Sequence, residues 1–380
     1  MQSENEYLFF FTLEIGIQLL TKKVVYMVNY IIRRLLLVPV LLFGVTVLIF
    51  VMMSFLQPVE RLALYMRDFP KNERAIPALI SKYDLDKPIY VQYWNWMVGK
   101  VDKATGVRAG GILYGDFGYS RSASQPVLEL IKRRFPATLD LTLWTVLPMI
   151  SVGIWLGVQA AVHHNGFIDQ AARVFSIIGT SFPTFVVGLL LLMFFYANLH
   201  WFSPGRLSDD FNRVIESDAF RSYTSLLTID ALLNGRFDIF LDALRHMVMP
   251  ILTLSYISWA TFLRITRGSM LETLRMEYVT TARAKGLPER DVIHKHAKPN
   301  AMLPVITLAG FSVVGLLGGA VITETVFNYP GIGSAAVRAA TSLDVVAMLG
   351  FALFTGMILI VAALVIDVLY ALVDPRVRLS

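Results

Sequence analysis

Six predominantly apolar stretches, each close to the length that crosses a lipid bilayer, leave this chain few ways to fold. They cover residues 35–56, 137–162, 174–199, 247–264, 301–323 and 345–373. A helix rises 1.5 Å per residue, so about 20 apolar residues cross the ~30 Å hydrocarbon core. Inside that core no water satisfies backbone N–H and C=O groups, which limits spanning structure to helices or a closed barrel. Continuous apolar runs of this length, without strict alternation, select helices. The predicted fold is an all-α polytopic membrane protein with six transmembrane helices. Only 16% of the residues are charged, against about 25% in soluble domains, so composition agrees. The chain contains no cysteine, which excludes disulfides, thiolate zinc sites and cysteine nucleophiles.

Flanking charge sets the orientation. Lys22, Lys23, Arg33 and Arg34 precede the first stretch, which by the positive-inside rule puts the N-terminus in the cytoplasm. An even number of spans returns Arg376 and Arg378 at the C-terminus to the same side, giving a multi-pass protein of the cytoplasmic (inner) membrane. The loop at 57–136 is also net basic but exceeds the ~60-residue limit of the rule, so it is expected outside. The net charge of +6 lies mostly in loops between apolar runs, which argues against a nucleic-acid partner. Residues 1–29 form an N-terminal extension. Glu4, Glu6 and Glu14 and the lack of a small-residue cleavage pattern argue against a cleaved signal; the expectation is an interfacial helix or an upstream-start extension, with Met27 as an alternative start.

The most charged stretch of the chain lies between the fourth and fifth apolar runs. From Arg264 to Asn300 there are eight Lys or Arg and four Asp or Glu, so the loop 265–300 is expected in the cytoplasm. Residues 271–285 contain no Gly or Pro, and Gly286 stands where a left-handed cap would end a helix. Pro288 then suits the first turn of a second helix, with Glu289 and Asp291 at its positive end and Lys295 and Lys298 at its negative end. Val279, Ala282 and Gly286 recur at helical spacing and give a face of little bulk. Two uses fit: a basic amphipathic helix on anionic lipid, or a docking element for a soluble partner.

The segments "EYVTTARAKGL" and "HAKPNAMLPVIT" resemble the cytoplasmic signature loop of binding-protein-dependent ABC importer permeases, in the variant of the dipeptide, oligopeptide and nickel group. "YDLDKPIYVQYWNWM", "GDFGYS", "PVLELIKRRFPATLDLTL", "YPGIGSAAVRAA" and "DVLYALVDPRVRLS" resemble other segments of the same family, so the likeness covers the chain from about Tyr30 onward. It implies a type I ABC importer permease fold over 30–380, of the B-type subunit, with an external loop at 57–136 and coupling helices in the loop 265–300. It further implies that Glu277, Tyr278, Thr281, Ala282, Arg283, Ala284, Gly286 and Leu287 contact an ATPase subunit. The implied partners are a second homologous permease, one or two ABC ATPase subunits and an extracytoplasmic substrate-binding protein, besides membrane lipid. The general importer motif begins Glu-Ala-Ala, where this chain has Thr281, Ala282 and Arg283; that departure is usual in the peptide branch.

No G-x-x-x-x-G-K-[ST] phosphate loop is present, since Lys100 follows Gly99 but precedes Val101 and lacks the upstream glycine. This chain is therefore expected to bind no cofactor and to be no enzyme, with ATP and Mg in the partner subunits. The implied function is uptake of di- or oligopeptides by alternating access; nickel chelates, glutathione and sugars are the other substrates of such carriers. An autonomous secondary transporter would show broken or charged helices at mid-membrane and inverted repeats, and the six stretches show neither.

Gly310, Gly315, Gly318 and Gly319 on the fifth stretch either let helices pack closely or line the translocation pathway. Glu324 is either an external interface residue or a charge at the pore mouth that meets a peptide's amino terminus. Asp140 and Asp367 are expected to pair with interfacial basic residues. His294 and His296, at i and i+2, point to different sides of a helix, which argues against a metal site.

Overall fold

The structure is a computed structural model that describes residues 31–65, 73–101 and 108–373. The expectations for residues 1–29, Arg376 and Arg378 fall outside the described residues. Four helices are long and apolar enough to cross a membrane: α1 (Ile31–Ser54), α2 (Val127–Val162), α5 (Phe237–Thr273) and α11 (Val345–Val373), the last apolar enough over Val345–Val368. Two bent pairs raise the number to six if each is one span. They are α3 (Phe167–Ser181) with α4 (Thr184–Asn198), bent by 99°, and α7 (Glu289–Ala301) with α8 (Leu303–Leu317), bent by 53°.

Prolines lie close to both bends, Pro183 at the first and Pro299 and Pro304 on either side of the second, which falls at Met302. Phe182 is extended before Pro183, as the clash with a following proline ring favours. The carbonyl of Phe182 accepts a hydrogen bond from the Tyr256 hydroxyl of α5, so the broken helix leaves that acceptor satisfied. The third stretch, expected as a single span at 174–199, thus starts earlier and is broken inside. Along α7 the ladder widens to π geometry over Val292–Ala297, just ahead of Pro299, which has no N–H to offer the carbonyl one turn back. The fifth stretch is also shorter than the expected 301–323. α8 stops at Leu317, Gly319 takes φ +103°, and a separate short helix α9 (Val321–Val326) follows.

The fourth stretch is longer than expected. α5 runs for 37 residues, about 55 Å at 1.5 Å per residue, well over the ~30 Å of a hydrocarbon core. The apolar run at 247–264 underestimates it because the extensions are amphipathic. Ile239, Ala243 and Met247, one turn apart, are fully buried, the first two against Leu207, Leu227 and Ala231 of the preceding loop. At the other end Met270 is buried among Val279, Val292 and Ala297.

α2 and α5 form the most extensive helix pair among the described elements. Absent side chains make it possible. A Cβ on Gly153 would lie 2.5 Å from the Phe262 Cβ, and one on Gly157 would lie 2.5 Å from the Thr266 Cβ and 2.9 Å from the Leu263 carbonyl oxygen. On the adjoining face α3 approaches through Gly179, whose Cβ would meet that of Ala260 at 2.9 Å. Without a hydrophobic drive between helices in lipid, such close van der Waals contact is a main source of cohesion.

The loop between α1 and α2 has structure of its own. Two antiparallel two-residue ladders pair Lys100–Val101 with Arg108–Ala109 and Tyr119–Ser120 with Gln125–Pro126. A helix at Ile89–Val98 packs Trp96 against Phe50 of α1, Ile112 and Leu353 of α11. Asp344, just before α11, ties this loop down: it accepts hydrogen bonds from the Ser120 hydroxyl at 2.7 Å and from the Ser122 hydroxyl and N–H at 2.8 and 2.9 Å, and caps Ala347 N–H at 3.1 Å. Burial works to raise the Asp344 carboxyl, but these donors outweigh it and hold it below the usual range. Asp367 pairs with Arg34 of α1 at 3.0 Å.

The α2–α5 seam yields a direct test. Gly157→Val should destabilise the detergent-purified chain by about 1–3 kcal/mol, the usual cost of overpacking, because one obstacle is backbone. Gly268→Ala, with nothing within 4 Å, should leave the thermal midpoint within a degree or two. Equal midpoints for the two variants would contradict the close approach.

Candidate functional site

α5 ends at Thr273, and an extended residue, Met276, turns the chain into α6 (Glu277–Ala284). The continuous helix expected over 271–285 is therefore two helices at an angle. Folding α6 back buries Val279 and Ala282 against Val158 and Ala161 of α2, Met270 of α5 and Ile293 and Ala297 of α7. This corrects the expected role of the small-residue face. Ala282 is 6% exposed and Val279 fully buried, so that face locks the loop to its own chain and Ala282 is not available to a partner. The exposed rim consists of Glu277, Tyr278, Thr281, Arg283, Ala284, Gly286 and Leu287.

Gly286 has φ +74°, with open space where a Cβ would stand. The left-handed conformation, not crowding, selects glycine there. Pro288 is the N-cap of α7, one position before the first turn where the sequence placed it. Arg283 bridges the turn, donating to both oxygens of Glu289 at 3.1 and 2.7 Å, and the Glu289 carboxylate raises the Arg283 guanidinium above its ordinary value. Both side chains are about half exposed, so the pair contributes roughly 0–1 kcal/mol.

Beside the loop lies a buried ionic clasp. Asp169, near the start of α3, is fully buried. It accepts from Arg267 of α5 at 2.5 and 2.9 Å, from Arg173 at 2.9 Å and from the Asn165 N–H at 3.0 Å. A carboxylate can be buried when its lone pairs are filled in this way. The clasp fixes α3 to the projecting end of α5, from which α6 hangs.

Toward the N-terminal end of α2 lies a second buried acid. Glu324 accepts from the Thr138 hydroxyl at 2.7 Å and from Ser334 N–H at 2.9 Å, while Thr138 in turn accepts from Ile332 N–H at 2.8 Å. The "YPGIGS" turn wraps the carboxylate at the start of α10 (Ile332–Thr341). A Cβ on Gly331 would come within 2.3 Å of it and one on Gly333 within 3.0 Å. Glu324 is fully buried, so the expectation that it meets a peptide's amino terminus is overturned: both oxygens are taken by its own chain. Asp140, two residues after Thr138 on α2, is equally buried; it accepts from the Thr228 hydroxyl and N–H at 2.5 and 3.2 Å and pairs with Arg206 at 3.4 Å.

The four glycines divide. A Cβ on Gly310 would lie 2.5 Å from Ile366 of α11, and Gly319 is a turn against the Gly333 backbone at 3.3 Å. Gly318 makes ordinary contacts, and Gly315 has open space. Gly315 shares an exposed face of α8 with Phe311, one turn away.

Residues 150–379, from the middle of α2 through the loop to the end of α11, match the family described as "Binding-protein-dependent transport system inner membrane component". The chain belongs to this family. Residues 27–142 match the N-terminal membrane component of such systems. Among curated proteins, the dipeptide transport system permease protein DppB of Escherichia coli (strain K12) is 35% identical over 355 residues, covering 93% of this chain and 99% of that protein. The oligopeptide transport system permease protein AppB of Bacillus subtilis (strain 168) is 35% identical over 354 residues, 93% and 100% of the two chains. The glutathione transport system permease protein GsiC of Salmonella choleraesuis (strain SC-B67) is 33% identical over 356 residues, 93% and 99%.

In this member of the binding-protein-dependent permease family, the loop's exposed rim stands out in the sequence and its anchor does not. Asp169 and Arg267 lie 98 positions apart with no local pattern joining them. Asp169→Ala should leave the Arg267 guanidinium without its counter-charge and cost on the order of 3 kcal/mol. Limited proteolysis of the purified chain should then cut within residues 274–288 faster than in the parent; an unchanged cutting rate would show that the clasp does not hold the loop.

Proposed function

We propose that this chain is one of two homologous permease subunits in an ATP-driven importer of di- or oligopeptides. It crosses the inner membrane six times with both termini in the cytoplasm, each bent helix pair serving as one span. As a family member it works with ATPase and substrate-binding partners; two permeases with one or two ATPase subunits is the composition proposed here. The external loop at 57–136 faces the binding protein, and the loop 265–300 receives the ATPase. The peptide substrate is supported by the dipeptide and oligopeptide systems of its relatives. Glutathione, itself a peptide with a free carboxylate, is the substrate class next supported.

The observation that carries the coupling role is the two-sidedness of the loop. Its buried side, Val279 and Ala282, is fixed to α2 and α5, while its exposed rim from Glu277 to Leu287 is left to a partner. Such a part moves with the spanning helices when pushed. Exposed Gly315 and Phe311 give α8 the unfilled face that a pathway or a second permease requires.

Ala284→Glu and Leu287→Asp alter exposed side chains without touching the buried face. Each should lower peptide uptake at least tenfold, while the chain still inserts, runs as a single species in detergent and loses its ATPase subunits on affinity purification. Full uptake with the ATPase retained would remove the loop from the coupling role.

A further inference from the structure

Arg134 lies on the face of α2 that meets α10, between two contacts that fix its position. One turn before it, Leu130 and Ile131 pack against Ala335 and Ala339; one turn after it, Thr138 binds Ile332 N–H and Glu324. Arg338 stands on α10 between Ala335 and Ala339, donating to Ser334 Oγ at 3.2 Å. Arg134 is half-buried, Arg133 and Arg338 are exposed, and the charges of Arg133, Arg338 and Glu324 all act on Arg134. Three guanidinium groups thus gather around the outer end of the second span.

Their acids do not balance them. Glu324 is turned inward and saturated by Thr138 and Ser334, and Glu129 is taken by Lys132 at 2.8 Å. Among the described residues no carboxylate forms an ion pair with Arg133, Arg134 or Arg338. The other buried or half-buried charges nearby do have partners: Asp140 has Arg206 and Asp344 has four donors. Like charges held together, one of them partly withdrawn from water, favour an incoming anion. A guanidinium offers a carboxylate two parallel N–H donors, which an ammonium cannot.

Resting on the proposed peptide importer, we propose that Arg134, flanked by Arg338 and Arg133, is a specificity-determining anion site that receives the C-terminal carboxylate of the peptide at the outer mouth of the pathway. Glu324 is then a positioning residue, which holds α10 and with it Arg338 against α2.

The test uses the complete transporter in phosphatidylcholine proteoliposomes. Initial uptake is compared for a tripeptide with a free C-terminal carboxylate and for its C-terminal amide, with binding protein adjusted to equal bound peptide in both cases. Arg134→Gln should lower uptake of the free acid at least tenfold, about 1.4 kcal/mol, and uptake of the amide less than twofold. Arg134→Lys should fall between, and Arg338→Gln should share the preference in weaker form. Equal loss for acid and amide in a complex that purifies normally would overturn the proposal in favour of a structural role for Arg134. Loss of uptake by Arg134→Gln that is reversed by adding phosphatidylglycerol would overturn it in favour of a lipid phosphate as the anion. Unchanged uptake of the free acid would also overturn it. Failure of the unmodified transporter to take up the free acid would instead refute the peptide importer reading, so the two outcomes stay separate.

Discussion

The close approach of α2 and α5 is the contact on which the rest of the molecule depends. Lipid tails are as apolar as leucine, so two helices in a bilayer gain little from hiding side chains from each other. They gain from fit. Glycines at 153, 157 and 179 and alanines at 160 and 260 let three helices meet almost backbone to backbone. Around that seam the polar groups are placed where they can be matched: Asp169 with Arg267 at one end, Asp140 with Arg206 and Thr228 at the other. Buried charges of this kind are costly unless paired, and in this chain the pairing also joins different helices.

The same economy explains how one loop can be both anchored and exposed. A helix of eight residues is marginal alone. α6 persists because Val279 and Ala282 enter a cluster contributed by α2, α5 and α7. What remains outward is a mostly polar strip with Tyr278 and Leu287 as its large apolar side chains, interrupted by a turn that a left-handed residue at 286 makes. The loop is thus defined by the spanning helices, and a change in one is a change in the other.

That the chain is helical with several apolar stretches of membrane-crossing length was legible in the sequence because a bilayer imposes a length and forbids unsatisfied backbone. The last helix runs over Val345–Val373, with its apolar part over Val345–Val368. Helix ends defined by packing were not legible: α5 continues ten residues before its apolar run through Ile239 and Ala243, whose burial depends on a loop helix at Leu227–Leu233. At the site, Gly286 was readable from its turn chemistry, and the exposed positions of the signature from their resemblance. The inward use of Ala282 and the closure around Glu324 were not, because each depends on partners remote in the chain. For Glu324 the nearest signal was "YPGIGS", whose two glycines are needed by the carboxylate they enclose.

α2 is unbroken for 36 residues, and Pro148 within it leaves it a single helix. Near its C-terminal end Ala161 packs against the loop that carries α6; near its N-terminal end Thr138 holds the turn around Glu324. Mechanically it is a single rod of 36 residues, about 54 Å long. The surroundings of the loop and those of Glu324 are thus joined through one continuous helix, with no intervening turn between them.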